Sequence, residues 1–168
     1  MRKHKEITLS SVKGFKTQIL SWAQQFDEVV WLDSNQFLQS HSSYDAVLAV
    51  DAFTAIQTDA KDGFEKLNEY QSTTNDWIFG YLSYDLKNDI EPLSSDNFDG
   101  LMFPDICFFQ PKKLFLFKDD ILTIKYLNCV SDAIEFDLNA ITSFSETFQS
   151  SSVNDIKIKP TAINAALD

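Results

Sequence analysis

Four glycines and four prolines in 168 residues leave little material for backbone cradles. No Walker loop, no G-x-G-x-x-G and no G-x-S-x-G elbow occurs, which removes the common nucleotide-binding and hydrolase signatures. Histidine is scarcer still. His4 and His41 stand alone, with no second His or Cys at metal-ligand spacing, so neither a zinc site nor a Ser-His-Asp arrangement is expected. The two cysteines, Cys107 and Cys129, lack CxxC spacing and lie in apolar stretches, and they read as reduced core thiols of a cytosolic protein. Arg2 is the only arginine. No apolar run approaches the ~20 residues that span a bilayer. The start MRKHKEITLS has no apolar core of the kind a secretory signal needs. A cytoplasmic protein with no membrane partner is expected.

Acidic residues are what the chain has in excess. Twenty-five Asp and Glu against 14 Lys and Arg give a formal charge of −11, which repels phosphate backbones and argues against nucleic acid as a partner. The basic run Arg2-Lys3-His4-Lys5 reads as a solvated terminus. Fifteen phenylalanines point to a core filled by aromatic side chains. The length fits one domain, placed at 1–160, with 161–168 as the start of a linker.

Apolar residues at Val12, Phe15, Ile19, Trp22 and Phe26 recur three and four apart, which predicts a helix capped by Ser10 or Ser11. Glu28 to Asp33 predicts a buried strand and Asp45 to Ala52 a second; Phe64 and Leu67 mark a short helix. Asp76 to Tyr84 predicts a third strand, followed by a long polar stretch to Asp105. Lys112–Lys118 and Ile121–Leu127 flank Asp119-Asp120, which signals a hairpin. Ser131 is expected to cap a third helix running to Phe148. The tract Ser150 to Ser152 ends that helix, and Asn154 to Lys159 reads as an edge-type strand stopped by Pro160. The fold class expected is mixed α/β: largely antiparallel sheet with about three helices.

One segment is sharper than composition. Gly80 to Leu93 reads GYLSYDLKNDIEPL, preceded by Trp77-Ile78-Phe79. It resembles the strand and loop that mark the amino-terminal half of anthranilate synthase and para-aminobenzoate synthase component I. Gly80, Tyr81, Ser83, Tyr84, Asp85, Glu91 and Leu93 match. Lys87-Asn88-Asp89 depart from the family's arginine and tyrosine, and Pro92 precedes Leu93 instead of following it. Trp31-Leu32-Asp33-Ser34 is similar to the family's Leu-Leu-Glu-Ser segment, and Tyr44-Asp45 with VLAVDA to its Phe-Asp or Tyr-Ser strand. Phe103-Pro104-Asp105 and KLFLFK fall where the family continues its sheet. The resemblance runs in order from about Trp22 to Leu127. Of the two families it favours para-aminobenzoate synthase, because Ser43 stands where anthranilate synthases carry an arginine and Asp45 where they carry a serine.

The resemblance implies an enzyme that aminates chorismate to aminodeoxychorismate for folate synthesis, with ammonia from a glutamine amidotransferase partner. It places chorismate, Mg²⁺ and the catalytic residues in a carboxy-terminal half. No catalytic residue, cofactor or metal ligand is expected in this chain, which reads as a fragment inactive alone. Its own carboxy-terminal half is then a partner, and a face meant for that half is expected to be apolar. Chorismate has two carboxylates, best clamped by bidentate arginine, and Arg2 alone cannot do this. The family's amino-terminal half can hold tryptophan, and the matching segment here gives Leu32, Asp33 and Ser34, with Tyr44 close by. Two readings of Ser34 stay open, turn cap or ligand contact. Gly80 reads as a point of close backbone approach. The other functions kept open are anthranilate synthase component I and a free-standing α/β ligand-binding or interaction module.

Overall fold

The computed structural model describes residues 1–35, 37, 43–91 and 102–144. Strand β1 (Arg2–Thr8) leads into helix α1 (Val12–Ala23), then β2 (Val29–Asp33) and β3 (Ala46–Thr58). Helix α2 (Gly63–Thr74), β4 (Phe79–Leu82) and a 3-10 turn (Tyr84–Asp89) follow. β5 (Ile106–Lys118), β6 (Ile121–Leu127), a second 3-10 turn (Asn128–Ala133) and α3 (Ile134–Ser143) complete the described chain. The layout is mixed α/β, as expected. One antiparallel sheet holds the six described strands in the order β1-β6-β5-β3-β2, with β4 alongside the outer half of β5.

Helices α1 and α3 cover one face of the sheet. Phe15, Ile19 and Trp22 from α1, with Ile134 and Ile141 from α3, bury against Leu48, Phe115, Phe117, Ile124 and Tyr126. Ser11 caps α1 as its sequence position predicts, accepting from the Gly14 amide. The other face is closed around Val47, Ala49, Leu114 and Leu116 by Phe79 and Phe109. Trp77 stacks on Phe79 with ring centroids 6.1 Å apart, and Tyr44 lies 6.2 Å from Trp77. The expected aromatic core is present, and β5 is lined with large side chains on both faces.

Several expectations need correction. The basic terminus is strand β1, paired along its whole length with β6. Arg2 gives the reason: its guanidinium is buried against Asp76 and the carbonyls of Pro111, Lys112 and Lys125. β2 is an edge strand with Val29 and Leu32 exposed. β3 and β5 each run for 13 residues, well past the expected limits. Pro111 lies inside β5, tolerated because it faces Ala52 where the register shifts between Ala52 and Thr54. Asp51, at φ 63, sits at the same irregularity. β4 covers only Phe79 to Leu82 of the strand expected over 76–84. Ser131 is inside the second 3-10 turn and donates to the Asn128 carbonyl, so it does not cap α3. Cys107 is half-buried, and Cys129, carried on that 3-10 turn, is exposed rather than in the core. His41, Pro92, Leu93, the extension to Phe148, Ser150 to Ser152, the strand Asn154–Lys159, Pro160 and 161–168 lie outside the described residues.

Candidate functional site

β2 ends at Asp33, and Asp33 itself makes the turn: its Oδ1 accepts from the Asn35 amide at 2.9 Å, while Asn35 takes φ 50. Ser34 continues the ladder by donating its amide to the Asp45 carbonyl at 2.9 Å. Ser34 itself opens a turn, its carbonyl accepting from the Phe37 amide at 2.9 Å. Tyr44 lies just ahead of β3 and closes the same end of the strand pair.

Leu32, Asp33, Ser34 and Tyr44 thus come together. All four line one cavity of about 540 Å³, floored by Ala46 and Val47. Asp33, Ser34 and Asp45 also border a second cavity of about 660 Å³ on the α1 side, where Lys16, Phe37 and Phe117 form the wall. The end of β2 is a partition between two hollows.

The partition is charged in pairs. Lys16 reaches from α1 to the Asp33 carboxylate at 3.0 Å and stands 5.7 Å from the Trp31 ring centroid and 5.8 Å from that of Phe117. Lys118 pairs with Asp45 at 3.0 Å, and the Asp119 amide donates to the other Asp45 oxygen at 2.7 Å. That amide, then the Lys118 ammonium, hold the Asp45 carboxyl below its ordinary value. Asp45 raises Lys118 in return. Both ion pairs border the 660 Å³ cavity, with Phe37 and Phe117 as its apolar wall, and the 540 Å³ cavity shares only Asp33, Ser34 and Asp45 with it. Lys16 and Lys118 were not singled out in the sequence. Lys16 carries no local signal of its contact, since Asp33 lies 17 residues away.

The GYLSYD segment has a structural part. Gly80 packs so close to β5 that a Cβ there would lie 1.9 Å from the Cys107 carbonyl oxygen. Ser83 donates its amide to the Asp105 carbonyl at 2.7 Å and its hydroxyl to the Asp105 carboxylate, whose other oxygen accepts from the Ala60 amide. Tyr81, Leu82 and Tyr84 are exposed beside these ties. Among the described residues, no group of three or more His, Cys, Asp or Glu is placed to hold a metal ion, and no helix is long and apolar enough to cross a membrane.

No protein-family model matches the chain, and no curated protein matches it.

Proposed function

We propose that this chain is the non-catalytic amino-terminal domain of a para-aminobenzoate (aminodeoxychorismate) synthase component I, carrying a pocket for a tryptophan-type amino acid. The observation that carries the reading is the convergence of Leu32, Asp33, Ser34 and Tyr44 on one cavity. These four come from two separate segments and were chosen by motif alone, so their meeting supports the resemblance. The paired charges of Lys16 with Asp33 and Lys118 with Asp45 lie on the adjoining cavity that shares Asp33, Ser34 and Asp45 with the first, and they give that side of the partition the polarity a zwitterion needs.

A second feature fits the same reading. Tyr81 and Leu82 in β4 and Tyr84 just after it, all within the matched segment, present exposed aromatic and apolar surface. A face of this kind suits a second domain, and here that domain is the chorismate-binding half. The Mg²⁺ of the family finds no fitting cluster among the described residues, so no chemical step through it is assigned to this chain. The amidotransferase that supplies ammonia is the third partner of the assembly, and the cytoplasm is its proposed site.

Supplied with chorismate, ammonia and Mg²⁺, the chain alone forms no product. Addition of the separately expressed catalytic half of a para-aminobenzoate synthase component I gives a complex that co-elutes with the chain. Aminodeoxychorismate forms faster in that complex than with the catalytic half alone. Turnover by the chain alone, or no association with that half, contradicts the proposal. Association with the catalytic half of an anthranilate synthase component I, and not with that of para-aminobenzoate synthase, moves the domain to the sister enzyme.

A further inference from the structure

Among the described residues, β2 is hydrogen-bonded on one side only. Ser34 donates to the Asp45 carbonyl and Asp51 donates to the Glu28 carbonyl, which fixes 28, 30, 32 and 34 as the positions turned toward β3. The N–H and C=O groups of Val29, Trp31 and Asp33 therefore face the open edge. None of them has a backbone partner there among the described residues.

Open edges are ordinarily guarded by lysines, prolines or short length. β1 carries Lys3 and Lys5, and β4 offers only four residues. β2 reads VVWLD, without lysine, proline or glycine, and Val29 and Leu32 are 38% and 55% exposed. The edge is also polarised. Asp27 and Glu28, just before the strand, are exposed and make no ion pair among the described residues. At the far end Asp33 is neutralised by Lys16.

We infer that the β2 edge receives an extended segment of a partner protein as an added antiparallel strand, with apolar residues at alternate positions and basic residues at its C-terminal end. Antiparallel docking sets the C-terminal end of the incoming strand beside Asp27 and Glu28, where cations are favoured. The outward amides and carbonyls of β2 supply the ladder, and Val29 and Leu32 flank the guest on opposite faces of the sheet. A second copy of β2 fits poorly: docked antiparallel, it sets its Asp33–Lys16 pair beside Asp27 and Glu28 and so brings them no free cation, on a chain of net charge −11. The edge acts whether or not the cavity beyond Asp33 holds an amino acid.

The test is amide hydrogen exchange of the protein with the synthetic peptide Val-Thr-Ile-Thr-Lys-Lys, against Val-Thr-Ile-Thr-Glu-Glu as control. The lysine-tailed peptide slows exchange at Val29, Trp31 and Asp33 by about tenfold or more at saturation, and the glutamate-tailed peptide does not. Val29→Pro removes an outward N–H without breaking the β2–β3 ladder and abolishes the protection. The Asp27→Lys, Glu28→Lys double variant, which leaves the backbone alone, reverses the preference between the two peptides. Equal response to both tails, unchanged exchange at the three amides, or protection that grows with protein concentration and no peptide each overturns the inference. The last of these points to a second copy instead.

Discussion

Arg2 and Asp76, 74 positions apart, form a nearly closed ion pair. The Arg2 Nε donates to both Asp76 oxygens at 2.9 and 3.0 Å, and Nη2 lies 2.9 Å from Oδ2. The Gln110 side-chain Nε2 donates to the same Oδ2 at 2.7 Å. The first strand is thereby fastened to the turn between α2 and β4, across β5 and β6.

Removing one partner leaves the other buried and unpaired. Arg2→Ala is expected to cost about 3 kcal/mol, read as a lower urea midpoint with an unchanged slope. Burial pushes the Asp76 carboxyl upward, but hydrogen bonds from Arg2, Gln110 and the Trp77 amide outweigh it and hold the group below its ordinary 3.8. A depressed folded value means that the contribution is present above 3.8 and is lost as pH falls through the folded value. Stability measured from neutral pH down to about pH 3 should therefore fall less steeply in Asp76→Asn than in the unaltered protein.

A second buried charge sits under the helices. Lys113 pairs with Asp137 at 2.7 Å, and Tyr126 donates to the same carboxylate oxygen at 2.8 Å. The ammonium lies 5.3, 5.0 and 5.5 Å from the ring centroids of Trp22, Phe26 and Tyr126. Asp137→Ala strands that ammonium and is expected to cost about 3–5 kcal/mol, whereas Lys113→Met with Asp137→Leu recovers most of the loss. Chemical denaturation of the single and double variants checks both. Burial, then the Asp137 charge, pushes the Tyr126 hydroxyl far above its ordinary value. Its phenolate should appear in an alkaline absorbance titration only with unfolding.

Gly80→Ala has a third consequence. Its Cβ would meet backbone, with the Cys107 oxygen at 1.9 Å and the Phe108 Cα at 2.6 Å. Backbone cannot step aside as a flexible side chain can. The variant should lose the β4–β5 pairing, at a cost of about 3 kcal/mol or more. Loss of exchange protection at the Phe79–Leu82 ladder, with α1 and β6 still protected, is the expected pattern.

What could be read from the chain alone was local. The α1 stripe puts Phe15, Ile19 and Trp22 in the core with Ser11 as cap, because helical period and capping are properties of neighbours. The β5–β6 hairpin was legible for the same reason: Asp119 takes φ 52 between two β-rich runs. The basic terminus was misread because its partner lies far away; nothing beside Arg2 announces Asp76. The strand expected from Lys112 begins at Ile106, and the shifted register opposite Ala52 is what lets β5 run through Pro111. In the candidate site, Leu32, Asp33, Ser34 and Tyr44 were reachable through motif resemblance. Lys16 and Lys118 reach the rim through tertiary contacts with Asp33 and Asp45 that no motif encodes.

Thermal unfolding with millimolar tryptophan tests the proposed pocket most directly. A ligand at ten times its dissociation constant adds about 1.4 kcal/mol to the folded state. For a domain of this size that corresponds to a rise of about 3–5 °C in Tm. The account predicts such a rise in the unaltered protein and a much smaller one in Ser34→Ala. No rise with tryptophan, or an equal rise in both proteins, contradicts it.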